Sequence, residues 1–349
     1  MTSDEQSAIK ELQKRAQSRP EEVPIGPVVA ALEEGDDAER DRAMTVLYVI
    51  SNDAPERVVE AVPSLEPLFE SDRPMVRTKV ALVLENIGST HPEKLTSHAE
   101  PIIELLDDQS ITVRQSAISV IRQIAAESPT TIVAAVPKVI ALLDSDIESA
   151  RLDAVIVLRL IAAADSSEVL EALGPLLAVL DTHYGFPDDI TYDPAMSTDR
   201  SVPSAQMRGY RTLTADKEGR SANVRAREEA AFTVAKVIEN DPETATEHLE
   251  EHLPGLYSHL DDPNPTIRSS VVGILAHIAG QSPEAIEPVE TELVELLTDH
   301  LAVSAGAVWA LRYGGSERGH SALQELAADP EVEPVLRRTA TEALAELDS

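Results

Sequence analysis

The apolar and polar positions of this chain form one phrase that returns along its length. From Arg40, Arg77, Arg114 and Arg151, and again from Arg227, Arg268 and Arg337, apolar or small residues follow at offsets of 3, 4, 7 and 10. Val80, Ala81, Leu84 and Ile87 are one instance, and Val271, Val272, Leu275 and Ile278 another. Residues so spaced share one face of an α-helix. A second phrase precedes these helices: Pro20-Glu21-Glu22-Val23, Pro55-Glu56-Arg57-Val58, Pro92-Glu93-Lys94-Leu95 and Pro129-Thr130-Thr131-Ile132, returning at Pro242 and Pro283. Proline lacks an N–H that the first turn of a helix leaves unpaired anyway, so each phrase predicts a helix start. Between the two phrases lies an acidic turn, such as Leu105-Leu106-Asp107-Asp108 or Leu260-Asp261-Asp262-Pro263, built from residues that favour turns and caps.

Each unit therefore reads as helix A, acidic turn, helix B. The spacing predicts pairs at about 20–51, 55–88, 92–127, 129–164, 166–240, 242–280, 283–314 and 316–347. One small pair cannot bury its apolar stripe alone, whereas stacked neighbours can. The expected fold is all-α: a right-handed α-solenoid of about eight helix pairs, one domain over residues 20–347, behind a capping helix at 1–19 with Ser3 as N-cap. Terminal units of such arrays are atypical; Ser304 stands in the Arg position of the seventh, and the eighth is shorter.

One stretch breaks the pattern. The first four ladder arginines are 37 residues apart, which puts the next at position 188; it comes at Arg227, 39 residues late. An inserted loop at about 182–222, inside the fifth pair, accounts for the delay. Pro187, Pro194, Pro203, Gly185, Gly209 and Gly219 exclude a long regular helix there. The stretch holds four of the nine Tyr and Phe residues and, between Arg200 and Arg225, six basic residues against two acidic ones. Tyr184, Phe186, Tyr192, Arg200, Arg208, Tyr210, Arg211, Lys217 and Arg220 are the candidate partner-binding residues. Basic groups interleaved with aromatics suit an acidic protein surface, or phosphates with stacked bases. The competing reading is an insertion whose basic half folds back onto the acidic array.

Charge makes that stretch stand out: 62 Asp and Glu face 29 Lys and Arg, a net charge of −33. Such an excess, with Arg favoured over Lys, resembles proteins of salt-in haloarchaea, where concentrated salt screens self-repulsion. On that reading the acidity says little about the partner. Apolar residues make up 43% of the chain and aromatics only 3%, which suits many small helix interfaces. The lack of cysteine excludes a disulfide framework and a thiolate metal site. No apolar run reaches 18 residues and the N-terminus has no hydrophobic signal core, so no membrane span is expected and the location is read as cytoplasmic.

The fullest unit, Ile103-Glu104-Leu105-Leu106-Asp107-Asp108 followed by Val113-Arg114, Ala117 and Ile121 to Ile124, resembles the HEAT repeat. The likeness runs over roughly 20–347 outside the insertion. Ala310-Leu311-Arg312-Tyr313-Gly314-Gly315 and Ser321-Ala322-Leu323 resemble the bilin-lyase (PBS lyase) type of HEAT-like unit. HEAT proteins are mostly scaffolds and adaptors, so the resemblance implies binding rather than catalysis. It also implies that the turn Asp and the Arg opening helix B pair along the stack.

His248-Leu249-Glu250-Glu251-His252 has the H-x-x-E-H form of inverzincin peptidases, but it falls on helix A of the sixth pair, outside that context. The chain has no His-Glu dipeptide of the kind deoxyhypusine hydroxylase uses for iron, and no cysteine or clustered acid–base set to nominate for a lyase. Trp309, the one Trp, falls on the apolar stripe of the seventh helix B and is read as core rather than as part of a glycosylase-like site. Gly314-Gly315-Ser316-Glu317-Arg318-Gly319 sits where an interhelix turn is due. The sequence thus predicts a non-enzymatic scaffold without cofactor or metal, binding protein partners through its concave helix B surface and the insertion. Nucleic-acid or ribonucleoprotein binding through the basic half of the insertion is the alternative. A helical-repeat enzyme, lyase or metal-dependent, comes third.

Overall fold

The computed structural model describes residues 3–182 and 217–347, and every regular element among them is helical. The chain forms two compact units, Met1–Leu142 and Leu143–Ser349. In the first, α1 (Ser3–Ser18) precedes α2 (Ile25–Glu34) and α3 (Asp37–Asp53), the A and B helices of the first pair. Then come α4 (Val62–Leu65) with α5 (Pro74–Thr90), α6 (Ala99–Glu104) with α7 (Ile111–Glu127), and α8 (Val136–Ala141). The second unit runs through α9 (Glu148–Ala164), α10 (Leu173–Leu180), α11 (Lys217–Asn240), α12 (Pro242–Leu249), α13 (Leu253–Ser258) and α14 (Pro265–Gln281). It ends with α15 (Glu290–Glu295), α16 (Leu301–Gly314), α17 (Glu317–Ala328) and α18 (Pro334–Leu347). Among the described residues no helix is long and apolar enough to cross a membrane.

The B helices are continuous and bury the stripe the sequence marks. Val80, Ala81, Leu84 and Ile87 of α5 are buried, as are Val271, Val272, Leu275 and Ile278 of α14. Each such Leu or Ile contributes about 1.5–3 kcal/mol. The proline phrase ends these helices as well as opening the next. His91, Ser128 and Ser282, each just before a proline, have φ of −136°, −149° and −135°. The proline Cδ crowds the preceding residue out of the α region. The N–H groups of His91, Ser128 and Ser282 still close the helices, donating to the carbonyls of Ile87, Ile124 and Ile278 at 2.7, 2.8 and 2.7 Å.

The A helices differ from the uniform helices the spacing predicts. Pro55–Ala61 is a 3₁₀ turn, α4 is four residues long, and Glu66–Leu68 is 3₁₀ again; Pro283–Val289, α15 and Leu296–Thr298 repeat the arrangement. A second proline lies inside each of these segments, at Pro63 and Pro288, and likewise at Pro101 and Pro137. Its ring blocks the carbonyl four residues back and it offers no N–H, so the helix must restart. At the other end, Gly315 closes α16 in the left-handed region, with φ 63°, a position that favours glycine. The helix α11 opens at Lys217, ahead of the 222 the repeat spacing predicts, so the last residues assigned to the insertion are helical.

Candidate functional site

The charged residues in fixed repeat register hold the helix pairs together. Arg77 donates to the Ser71 carbonyl of its own A-to-B turn at 2.6 Å, and its Nε and Nη2 reach Asp108 of the next turn at 2.6 and 3.2 Å. Arg268 does the same, with the Asp262 carbonyl at 2.7 Å and Asp299 at 2.8 and 2.7 Å. Arg114 and Arg151 bond the carbonyls of Asp108 and Ser145, both at 2.6 Å. A planar guanidinium fork suits this combination of a carbonyl and a bidentate carboxylate. Arg227 pairs with Asp262 in the most enclosed instance, their side chains 5% and 2% exposed, and also donates to the Leu180 carbonyl at 2.7 Å.

These pairs shift the acids in a consistent direction. Burial pushes Asp108 up, but the Arg77 guanidinium and the Ser110 N–H outweigh it and hold the carboxyl below the usual range. Burial is likewise outweighed at Asp262, by His259, the Asn264 N–H and Arg227, and at Asp299, by Arg268 and the His300 N–H. Where the register breaks, substitutes appear. Asn223, in the α11 segment that follows the insertion, accepts from Arg151 at 2.7 Å and donates to Glu148 at 2.7 Å, in the role the turn Asp fills elsewhere. In the seventh pair the Ser304 hydroxyl lies 3.1 and 3.0 Å from the carbonyls of Leu296 and Asp299, standing in for the missing arginine.

The other motifs do not assemble. The helix α12 stops at Leu249 and Glu250–His252 is a 3₁₀ turn, so His248 and His252 do not stack at α-helical i, i+4 spacing. His248 Nδ1 lies 2.9 Å from its own helix's Thr244 carbonyl, and His252 sits against Gly174. Among the described residues no three His, Cys, Asp or Glu converge as a metal-holding set. Of the residues singled out in the insertion, Tyr184, Phe186, Tyr192, Arg200, Arg208, Tyr210 and Arg211 lie outside the described residues. Lys217 and Arg220 belong to the first turn of α11.

A different surface comes into view along the B helices, at the position five residues past each ladder residue. In the second unit it carries Ile156, Phe232, Gly273, Trp309 and Glu342; in the first it carries Thr45, Leu82 and Ser119. The first unit's face is stitched by hydrogen bonds between successive B helices: Lys79 to Thr45 at 2.8 Å, Asn86 to Ser51 and Asn52 at 2.9 and 3.0 Å, and Ser116 to Glu85 at 2.7 Å. In the second unit Phe232 is 52% and Tyr313 39% exposed.

Trp309, expected in the core, is half-buried at this surface while its neighbours Val308 and Ala310 are buried. Counted from Ser304, the buried offsets fall on Ala307, Val308 and Leu311, so residue 309, at offset 5, lies off the stripe and toward the face. The Arg312 guanidinium lies 5.2 Å from the Trp309 ring centre and 4.6 Å from that of Tyr313, a stacked cation–aromatic cluster.

Residues 253–345 match the family model for HEAT repeats. Similar helix pairs and ladder contacts recur outside the matched HEAT span. A protein described as uncharacterized phycocyanin operon protein Z, from Pseudanabaena tenuis, is 31% identical over 130 residues, 37% of this chain. The aligned part spans 60% of that protein's length. Among solved structures, an engineered protein is similar with a TM-score of 0.50 at 20% identity, over 74% of this chain and 97% of its own. A designed armadillo repeat protein in complex with the peptide (KR)4 is similar with a TM-score of 0.50 at 21% identity, over 73% and 99%. At those identities the likeness establishes the fold, helix-pair repeats of the HEAT and armadillo kind.

Proposed function

We propose that this chain is a non-enzymatic repeat scaffold that binds protein partners, with the B-helix face of its second unit as the main contact. The observation that supports this reading most is the exposed Phe232 and Tyr313 with the half-buried Trp309 on one B-helix face, in a chain with only 3% aromatic residues. Contiguous exposed apolar surface on a folded protein marks an interaction site more often than chance. The ladder arginines, the obvious alternative for anion binding, are engaged in spacing the repeats. A designed repeat protein of this fold holds a peptide, which fits the same use.

The insertion supplies a second contact through Tyr184 to Tyr192 and Arg200 to Arg220. Affinity capture with the full chain, followed by mass spectrometry, tests the proposal. Replacing residues 183–216 by a short Gly-Ser linker should leave the helical content intact and weaken partner capture. An unchanged set of partners removes the insertion from the site, and no reproducible partner at all removes the scaffold reading. RNA or DNA affinity lost on substituting Arg208, Arg211 and Arg220 would instead favour nucleic acid.

A further inference from the structure

The B helices of the second unit leave a notch with a defined floor. A Cβ built on Gly273 of α14 would meet nothing within 4 Å, while the equivalent positions on the helices either side carry Phe232 and Trp309. The spacing of α14 and α16 is fixed by another glycine: a Cβ on Gly306 would lie 2.5 Å from Val272 Cγ2 and 3.5 Å from the Gly273 N. Tyr313 closes one end, with ring carbons 3.7–3.8 Å from where a Gly280 Cβ would sit. Neither α14 nor α16 contains an acidic residue, although the chain has 62. The notch is therefore free of carboxylates from α14 and α16 and flanked by Phe232 and Trp309, with the Arg312 guanidinium on the Trp309 ring.

Its rim has a definite electrostatic character. The cations near it are already engaged: Arg159 with Glu229 at 2.9 Å, Lys236 with Glu239 at 2.8 Å and Arg312 with Glu346 at 2.5 Å. An ionised carboxylate offers about four acceptor sites, so Glu229 and Glu239 retain capacity for further donors. An acidic segment would approach against a net charge of −33. A basic one is drawn in.

We propose that the notch over Gly273, between Phe232 and Trp309, takes a large apolar side chain of an extended partner segment whose flanking residues are Lys or Arg and pair with Glu229 and Glu239. The proposal rests on the scaffold reading and gives its partner a chemistry. Trp309, the single Trp of the chain, is its built-in reporter.

The test uses the full chain at a salt concentration where its helical signal is complete, with three nine-residue peptides free of aromatic residues: alternating Lys and Leu, Glu and Leu, and Lys and Ser. The Lys–Leu peptide should shift Trp309 emission saturably and the other two should bind at least about tenfold more weakly, the effect of one lost anchor. Gly273→Leu, whose Cβ would meet nothing within 4 Å, puts a side chain into the notch and should weaken the Lys–Leu peptide about tenfold, as should Phe232→Ser. Gly255→Leu, whose Cβ also meets nothing within 4 Å but which lies on α13, should bind as the parent does. Equal binding by Gly273→Leu, by the Lys–Ser peptide or by the Glu–Leu peptide overturns the proposal, as does the absence of any shift. If Gly273→Leu still captures the partners of the parent chain, the scaffold reading stands without this surface.

Discussion

The Arg227–Asp262 pair gives the sharpest energetic test of how the repeats are held. Both side chains are enclosed, at 5% and 2% exposure, and Asp262 also accepts from the Asn264 N–H at 2.8 Å. Asp262→Asn keeps the shape but leaves a buried guanidinium facing a neutral amide. Removing one partner of a buried pair typically costs about 3–5 kcal/mol, and the retained amide oxygen argues for the lower end, about 3. The exposed Lys236–Glu239 pair, at 43% and 55% exposure, is the internal control: Glu239→Gln should cost less than about 1 kcal/mol. Urea unfolding followed by Trp309 emission reports the unit that contains both pairs. If Asp262→Asn moves the midpoint no more than Glu239→Gln does, the pair does not hold the repeats as argued. pH supplies a second reading. A carboxyl held below its ordinary value contributes stability above about pH 4, lost as pH falls through its depressed folded value. The gap between parent and Asp262→Asn should therefore narrow below about pH 4.

Other outcomes follow from the same contacts. Asn223→Ala leaves Arg151 without its side-chain acceptor across the register break and should cost about 1–3 kcal/mol in urea unfolding, far more than substitution of an exposed helix residue. Gly273→Ala gains helix propensity without a clash and should stabilise by about 0.5–1 kcal/mol. Gly306→Ala gains the same propensity but drives a methyl against Val272, an overpacking cost of about 1–3 kcal/mol, so thermal denaturation should rank it below both Gly273→Ala and the parent. If the acidic composition is an adaptation to concentrated salt, the thermal midpoint should climb steadily as KCl is raised from about 0.1 to about 2 M, well past the range in which simple screening saturates.

Sequence alone determined what depends on local periodicity. The Arg register, the buried offsets and the acidic turns specify helix pairs, because a stripe that one pair cannot bury is covered by the next at the same spacing. The proline phrase reads correctly as a boundary, since its effect on the preceding residue is steric and local. Tertiary structure decided whatever depends on neighbours. Asn223 takes over from a turn Asp only because α11 packs against α9 beside Arg151. The second prolines divide the A helices because packing supplies too little to hold a helix across a lost donor and a blocked carbonyl. The position five residues past the ladder holds a buried Ser119 in one unit and an exposed Phe232 in the other. No pattern within either helix separates those two cases: exposure is set by which side chains stand on the adjacent helices, and glycines at 273 and 306 fix how closely those helices approach.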